Sequence, residues 1–225
     1  TNTIKLPSIQ YYRENNFDKN SFPMAAFKIL VPDNDYTING PLEFRNLCGV
    51  LVLNLTGEDK IKSITMTARY SDGSIAALSG LADLKRDESS FYWLHMHGNS
   101  PSVTLECPNV QLDPDTPTPF HIVLPPGKYS SFSLTITTSD GRIMLVNVDK
   151  ELVINRSKAR HTTPLTYTET IPVNLSDRGT SNSYIVSEGG AYKFDASVIG
   201  NGKAGIIEGV SFHTTDPSIP PTSAE

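Results

Sequence analysis

Residues 47–55 read Leu-Cys-Gly-Val-Leu-Val-Leu-Asn-Leu, Gly57 stops the run, and residues 61–70 continue as Ile-Lys-Ser-Ile-Thr-Met-Thr-Ala-Arg-Tyr. These are the clearest strands of the chain, one almost unbroken in apolar residues and the other alternating with period two. Ser71-Asp72-Gly73 then turns the backbone into an expected strand at 74–78, because Asp-Gly tolerates the positive φ of a tight hairpin. The device returns at Ser139-Asp140-Gly141, joining 132–138 to 142–148. Between the hairpins, strands are expected at 103–107 and 120–124. The second of these is closed by Pro125-Pro126-Gly127, and residues 113–119 form a Pro-rich loop. No stretch keeps an i, i+3, i+4 apolar pattern for three turns, and only residues 81–88 (LADLKRDE) predict a short helical turn.

The fold class is therefore all-β, a β-sandwich of residues 1–154. Residues 155–170 (NRSKARHTTPLTYTET) are polar and carry Pro164, which reads as a linker. Strands are expected again at 183–187, 191–199 and 205–212, and the polar tail from residue 218 adds none. Three strands are too few to bury a second core, so 171–225 reads as a partial C-terminal β segment.

Charged residues make up 19% of the 225, below the roughly 25% usual for soluble domains, which suits a turn-rich sandwich. With a net charge of −5 and no run of Lys or Arg, nucleic acid is excluded as a main partner. No signal-peptide pattern opens the chain and no apolar run spans a membrane, which leaves a cytosolic protein or one whose targeting segment has been removed. Cys48 and Cys107 allow one bridge, but both sit in apolar strands where a free Cys packs well. We expect both to face the same core.

Gly200-Asn201-Gly202-Lys203-Ala204-Gly205 matches G-x-G-x-x-G, but the residues after it, IIEGVSF, are β-branched and contain Gly209 where a helix N-terminus would have to hold pyrophosphate. A hairpin turn is expected there. His95 and His97 share a face if their segment is a strand, with Cys107 or His121 as the only further ligands at hand, so packed or surface histidines are preferred to a metal pair. Asp33, Asp35, Thr37 and Asn39 imitate the start of a calcium loop, yet Ile38 replaces the glycine and Phe44 the bidentate Glu. Gly98-Asn99-Ser100-Pro101-Ser102 lacks the last glycine of a nucleophile elbow. No carboxylate pair can be nominated, so neither catalytic residue, metal nor cofactor is expected. Sequons stand at Asn54, Asn155 and Asn174, and glycosylation is disfavoured at Asn54 inside its strand. Phe91-Tyr92-Trp93 is the densest aromatic cluster. Core packing with one edge aromatic is the preferred reading, and a sugar-stacking platform built from Tyr92 or Trp93, with Tyr11 and Tyr12, is the alternative.

Phe44-Arg45-Asn46-Leu47-Cys48-Gly49-Val50-Leu51, Leu55-Thr56-Gly57 and Ile61-Lys62-Ser63-Ile64-Thr65 together resemble a stretch of the fimbrillin-like proteins of Bacteroidetes. The resemblance extends upstream to Leu6-Pro7-Ser8-Ile9-Gln10-Tyr11 and Pro23-Met24-Ala25-Ala26. Downstream it continues through 103–107, 120–127 and Asp140-Gly141-Arg142, and 174–202 is similar to a segment that often follows that domain. It implies a transthyretin-like β-sandwich, export as a lipoprotein to the outer membrane and cell surface, and work as a type V pilus (fimbrium) subunit or pilus-associated adhesin. Its implied partners are other pilus subunits or host and bacterial surface ligands, and the membrane is reached only through a removed lipid anchor. By the same resemblance, both ends of the family's usual chain are missing here. Association through strand edges is then the expected mode. Residues 1–31 are its candidate displaceable element, and the run Phe27, Ile29 and Val31 is the strand-exchange candidate. The competing expectation is a carbohydrate-binding surface lipoprotein of a glycan-uptake system.

Overall fold

The computed structural model describes residues 3–26, 44–86, 92–97, 100–174, 191–195, 211–212 and 222–223. They fall into two units, Thr1–Glu169 and Thr170–Glu225. The described strands of the first unit are β1 (Thr3–Leu6), β2 (Ile9–Tyr11), β3 (Met24–Ala26), β4 (Phe44–Asn46), β5 (Gly49–Thr56), β6 (Lys60–Arg69), β7 (Gly80–Arg86) and β8 (Tyr92–Met96). They continue with β9 (Ser102–Gln111), β10 (Thr118–Leu124), β11 (Gly127–Tyr129), β12 (Ser131–Thr138), β13 (Ile143–Val148), β14 (Leu152–Ile154), β15 (Ala159–His161) and β16 (Leu165–Thr166).

Alternation along β6 and β12 produces the larger sheet. Leu134 sits opposite Met66 and Ile136 opposite Ile64, so each strand turns its apolar residues inward while Thr65 and Thr135 face out. The sheet runs β13-β12-β6-β9-β2, antiparallel except for β2, which lies parallel to β9. Against it stands a second sheet, β10-β5-β15, with β16 also paired to β5. Leu51, Leu53 and Leu55 of β5 and Phe120, Ile122 and Leu124 of β10 meet the inward residues of the larger sheet in one core. Fully burying each such side chain is worth about 1.5–3 kcal/mol, so this interface dominates the stability of the unit. The chain is all-β, and its first unit is a sandwich.

Residues 47–55 look unbroken because β5 is covered on both faces. Its other face, Val50 and Val52, joins Val123, Cys48 and Leu6 in a smaller cluster. A third sheet, β1-β7-β8, covers that cluster with Ile4, Leu94 and Met96. Phe17 and Phe22 add to it, their ring centroids 4.5 Å apart. Cys107 lies in the large core and Cys48 in the small one, so the two thiols do not face a common core as expected. Opposite faces of the β5 sheet separate them.

Both Asp-Gly turns form, with Gly73 at φ +80° and Gly141 at φ +91°, where a side chain would be strained. The strand expected at 74–78 is reduced to one bridge, Arg69 to Ile75, because Leu78 and Ser79 leave β6 to bond the Ser100 carbonyl. Residues 81–86 are strand rather than helix. Ala82 and Leu84 point inward while Leu81, Asp83 and Lys85 point out, and hydrogen-bonded neighbours on both sides outweigh the helix propensity of Leu, Ala and Lys. The expected linker 155–170 is corrected too: it carries β15 and β16, and the unit boundary falls after Glu169.

In the second unit, β17 (Thr170–Asn174) pairs in parallel with β18 (Ala191–Asp195), and β19 (Ser211–Phe212) pairs antiparallel with β20 (Thr222–Ser223). The tail expected to add no strand thus supplies β20. The strand expected at 183–187 and the glycine motif at 200–205 lie outside the described residues.

Candidate strand-binding groove and exposed aromatic face

β15 reaches β5 because Gly49 lets it. A Cβ at Gly49 would fall inside van der Waals contact of the Asn155 carbonyl and of Ile154, so any side chain would push the returning chain away. Ser157, at φ 59°, then donates its N–H to the Cys48 carbonyl, and the Val50 N–H donates to the Lys158 carbonyl at 3.0 Å. From there the chain runs parallel to β5, with Arg160 beside Leu51 and His161 beside Val52. At the break before Pro164 the Asn54 amide takes over the ladder: its Nδ2 donates to the Thr162 carbonyl at 2.9 Å and its backbone N–H donates to Thr162 Oγ1. The Thr56 and Thr166 hydroxyls, 3.0 Å apart, close the far end.

In a parallel ladder alternate residues bond each neighbour. Lys158 and Thr162 bond β5, so Ala159 and His161 turn their backbone groups away from it. Among the described residues no further strand pairs with this edge. A groove of about 400 Å³ is floored by Leu51 and Leu53, walled by Phe132, Leu134, Val146 and Val148, and rimmed by Lys150, Glu151, Arg160 and Thr163. Past β16, Tyr167 is buried, the Thr168 N–H donates to Met144 Sδ, and Glu169 lies 4.0 Å from Arg142.

The opposite edge is shut. Gln10, 2% exposed, reaches from β2 to β10 and behaves like a strand's peptide group. Its Nε2 donates to the Val123 carbonyl at 2.8 Å and its Oε1 accepts the Val123 N–H at 2.9 Å. The Tyr12 ring packs tilted against Phe120, their centroids 5.3 Å apart.

Among the expected site residues, Trp93 lies 49% exposed on the outer face of the β1-β7-β8 sheet, edge-on to His95 at 5.8 Å. Tyr92 is in β8, while Phe91 and the strand-exchange run Phe27, Ile29 and Val31 lie outside the described residues, as does the Asp33 loop. His95 and His97 share that outer face with Asp83. His97 Nε2 is 3.0 Å from Asp83, and this hydrogen bond, followed by that of Lys85 at 3.4 Å, holds the Asp83 carboxyl below its ordinary range. Among the described residues no three His, Cys, Asp or Glu side chains gather as a metal site. Tyr11 is exposed on β2 and Tyr12 is half-buried against the core. Burial pushes the Cys48 thiol up to about 12, and burial followed by Glu106 does the same for Cys107.

Neither edge was visible in the sequence as a site. Arg160 and its neighbours are exposed and alternate no apolar residues. Gln10 acts on a strand 113 positions away. No protein-family model matches this chain, and no curated protein matches it.

Proposed function

We propose that this chain is a non-enzymatic surface protein that associates by accepting an extended segment of another polypeptide at the β15 edge, as a fimbrial subunit or pilus-associated adhesin does. The observation that carries this reading is the apolar groove beside outward-turned backbone groups. A strand laid there pairs with Ala159 and His161, and its alternate side chains enter a cleft floored by Leu51 and Leu53. Affinity comes from main-chain bonds and selectivity from the side chains in the cleft. Its partners would be other pilus subunits at the cell surface.

Within residues 1–31, Leu6 is buried in the smaller core and Gln10 is buried against Val123. The test therefore adds a segment rather than deleting one. Labelled peptides alternating Val and Ser are titrated by anisotropy, together with copies N-methylated on the backbone groups that would face β15. Saturable binding that N-methylation abolishes supports strand addition. No binding, or binding indifferent to N-methylation, sinks it.

Trp93 favours a second reading, a carbohydrate-binding surface lipoprotein. Its indole lies half-exposed on the face where Lys85 stands opposite it and pairs with Asp83, which offers a stacking face with polar groups near its rim. Saturable binding on a glycan array, lost in Trp93→Ala, supports that reading, and a silent array removes it.

A further inference from the structure

A second hollow lies on the face of the β5 sheet that looks away from the groove, and its lining is of a different kind. It encloses about 440 Å³, within the roughly 300–1,000 Å³ of small-molecule sites. Val50 of β5 lines it whereas Leu51 lines the groove, so the alternation of one strand keeps the two apart. Phe17 and Phe22 give one wall, their ring centroids 4.5 Å apart. Around them stand the amides of Asn15, Asn16 and Asn46, the Ser157 hydroxyl, the Lys158 ammonium and the His121 imidazole.

Most of this polar lining is uncommitted. Among the described residues, the side chains of Asn15, Asn46 and Lys158 make no hydrogen bond or ion pair. The Asn16 side-chain oxygen accepts the Phe17 N–H at 2.9 Å, which leaves the two donors of that amide over. His121 Nδ1 is buried with no protein partner among the described residues. Two of the polar residues are also held in the left-handed region, Asn15 at φ 53° and Ser157 at φ 59°, where glycine would sit without strain. No carboxylate lines the hollow, although the chain carries 24 Asp and Glu against 19 Lys and Arg.

We infer that this hollow binds a small acidic sugar, a pyranose carrying a carboxylate. Lys158 meets the carboxylate, the three amides and Ser157 exchange hydrogen bonds with the ring hydroxyls, and the Phe17 and Phe22 wall takes the apolar C–H face of the ring. A neutral sugar leaves Lys158 without a partner. A wholly apolar ligand leaves the amides unpaired, and a cation meets Lys158 with no acid to offset it. The site is independent of strand capture and of the Trp93 face, which belongs to a different sheet.

Glucuronate, glucose and acetate are titrated by saturation-transfer NMR against the whole chain and against its Lys158→Ala and Trp93→Ala variants. Glucuronate should saturate, with glucose about three- to tenfold weaker because it lacks the charge, and acetate weaker than glucuronate because it lacks the ring. Lys158→Ala, on an exposed side chain, should bring glucuronate down to the affinity of glucose while the thermal melt stays unchanged. Trp93→Ala should leave all three titrations as they were. Absence of saturable glucuronate binding, equal affinity for glucose, or acetate as tight as glucuronate would each overturn the inference. So would binding lost in Trp93→Ala but kept in Lys158→Ala, which would put the sugar on the outer face of β8.

Discussion

The sheet built on β5 has two edges that solve one problem in opposite ways. At the β10 edge, the Gln10 amide satisfies both backbone groups of Val123, and Tyr12 packs against Phe120. At the β15 edge, Ala159 and His161 turn polar backbone outward beside an apolar cleft. Natural sheets normally blunt exposed edges with charge, bulges or covering loops. One edge here is capped by a buried amide, and the other carries, among the described residues, Arg160 and a break at Pro164. The asymmetry indicates that openness at β15 is compatible with a closed, well-packed core, because the closed side anchors the two sheets to each other.

The largest effect that separates the two edges is expected at Phe120, fully buried beneath Tyr12. Phe120→Ala should cost about 3–5 kcal/mol in denaturant unfolding, through lost burial and the cavity left behind. Val146→Ala, across the groove and only partly buried, should cost about 1 kcal/mol or less, since much of what it loses already faces the cleft. Equal losses would mean that the groove is as tightly packed as the closed edge.

Next in size comes the Gln10 amide. Gln10→Ala strips partners from a buried N–H and a buried carbonyl, at roughly 1–3 kcal/mol for each group left unpaired. Gln10→Glu sharpens the test: an ionised carboxylate still accepts from the Val123 N–H but faces the Val123 carbonyl with no proton to give. Its folded-state pKa is therefore raised, and the stability it lost should return as the pH falls and the carboxyl protonates. A Glu variant whose deficit is the same at every pH would show that the carbonyl bond contributes nothing.

The strands that could be read from sequence are those whose own residues carry the pattern. β5 is apolar because both faces are covered, and β6 and β12 alternate because one face is. β7 was hidden because Leu-Ala-Asp-Leu-Lys favours a helix when considered alone and becomes strand only between β1 and β8. β15 was hidden for the reverse reason. Its side chains are all exposed, so it buries nothing that could leave a period in the sequence, and its place is set by Gly49 and by backbone bonds to β5. The aromatic cluster could be read as a cluster, but whether Trp93 points in or out depends on the register of β7 with β8, where Trp93 pairs with Lys85 on the outer face. The cysteines were placed correctly as buried and wrongly in one core, because burial is written in a strand's own residues and the choice of core is set by its partners.

The smallest effect expected joins the two edges electrostatically. His121 on β10 and His161 on β15 both lie beside Val52 of β5, in one row across the sheet, and Lys158 lines the same hollow as His121. Burial, and then the neighbouring His161, lowers the pKa of His121 below its ordinary value of about 6.5. The Nδ1 atom of its ring is buried without a protein partner among the described residues. A histidine depressed in the folded state binds fewer protons there than in the unfolded chain. Its contribution is therefore complete above the unfolded pKa and is lost as the pH falls from there through the folded value. Stability measured by urea unfolding should fall on acidification over this window, and His121→Asn should flatten that part of the curve. His161→Asn should flatten it less, because it removes only the second of the two causes. Since His121 is partly exposed, solvent screening keeps the effect below those at Phe120 and Gln10. An unchanged slope in His121→Asn would mean that His121 contributes nothing to the acid limb, and an unchanged slope in His161→Asn that the row across β5 carries no electrostatic coupling.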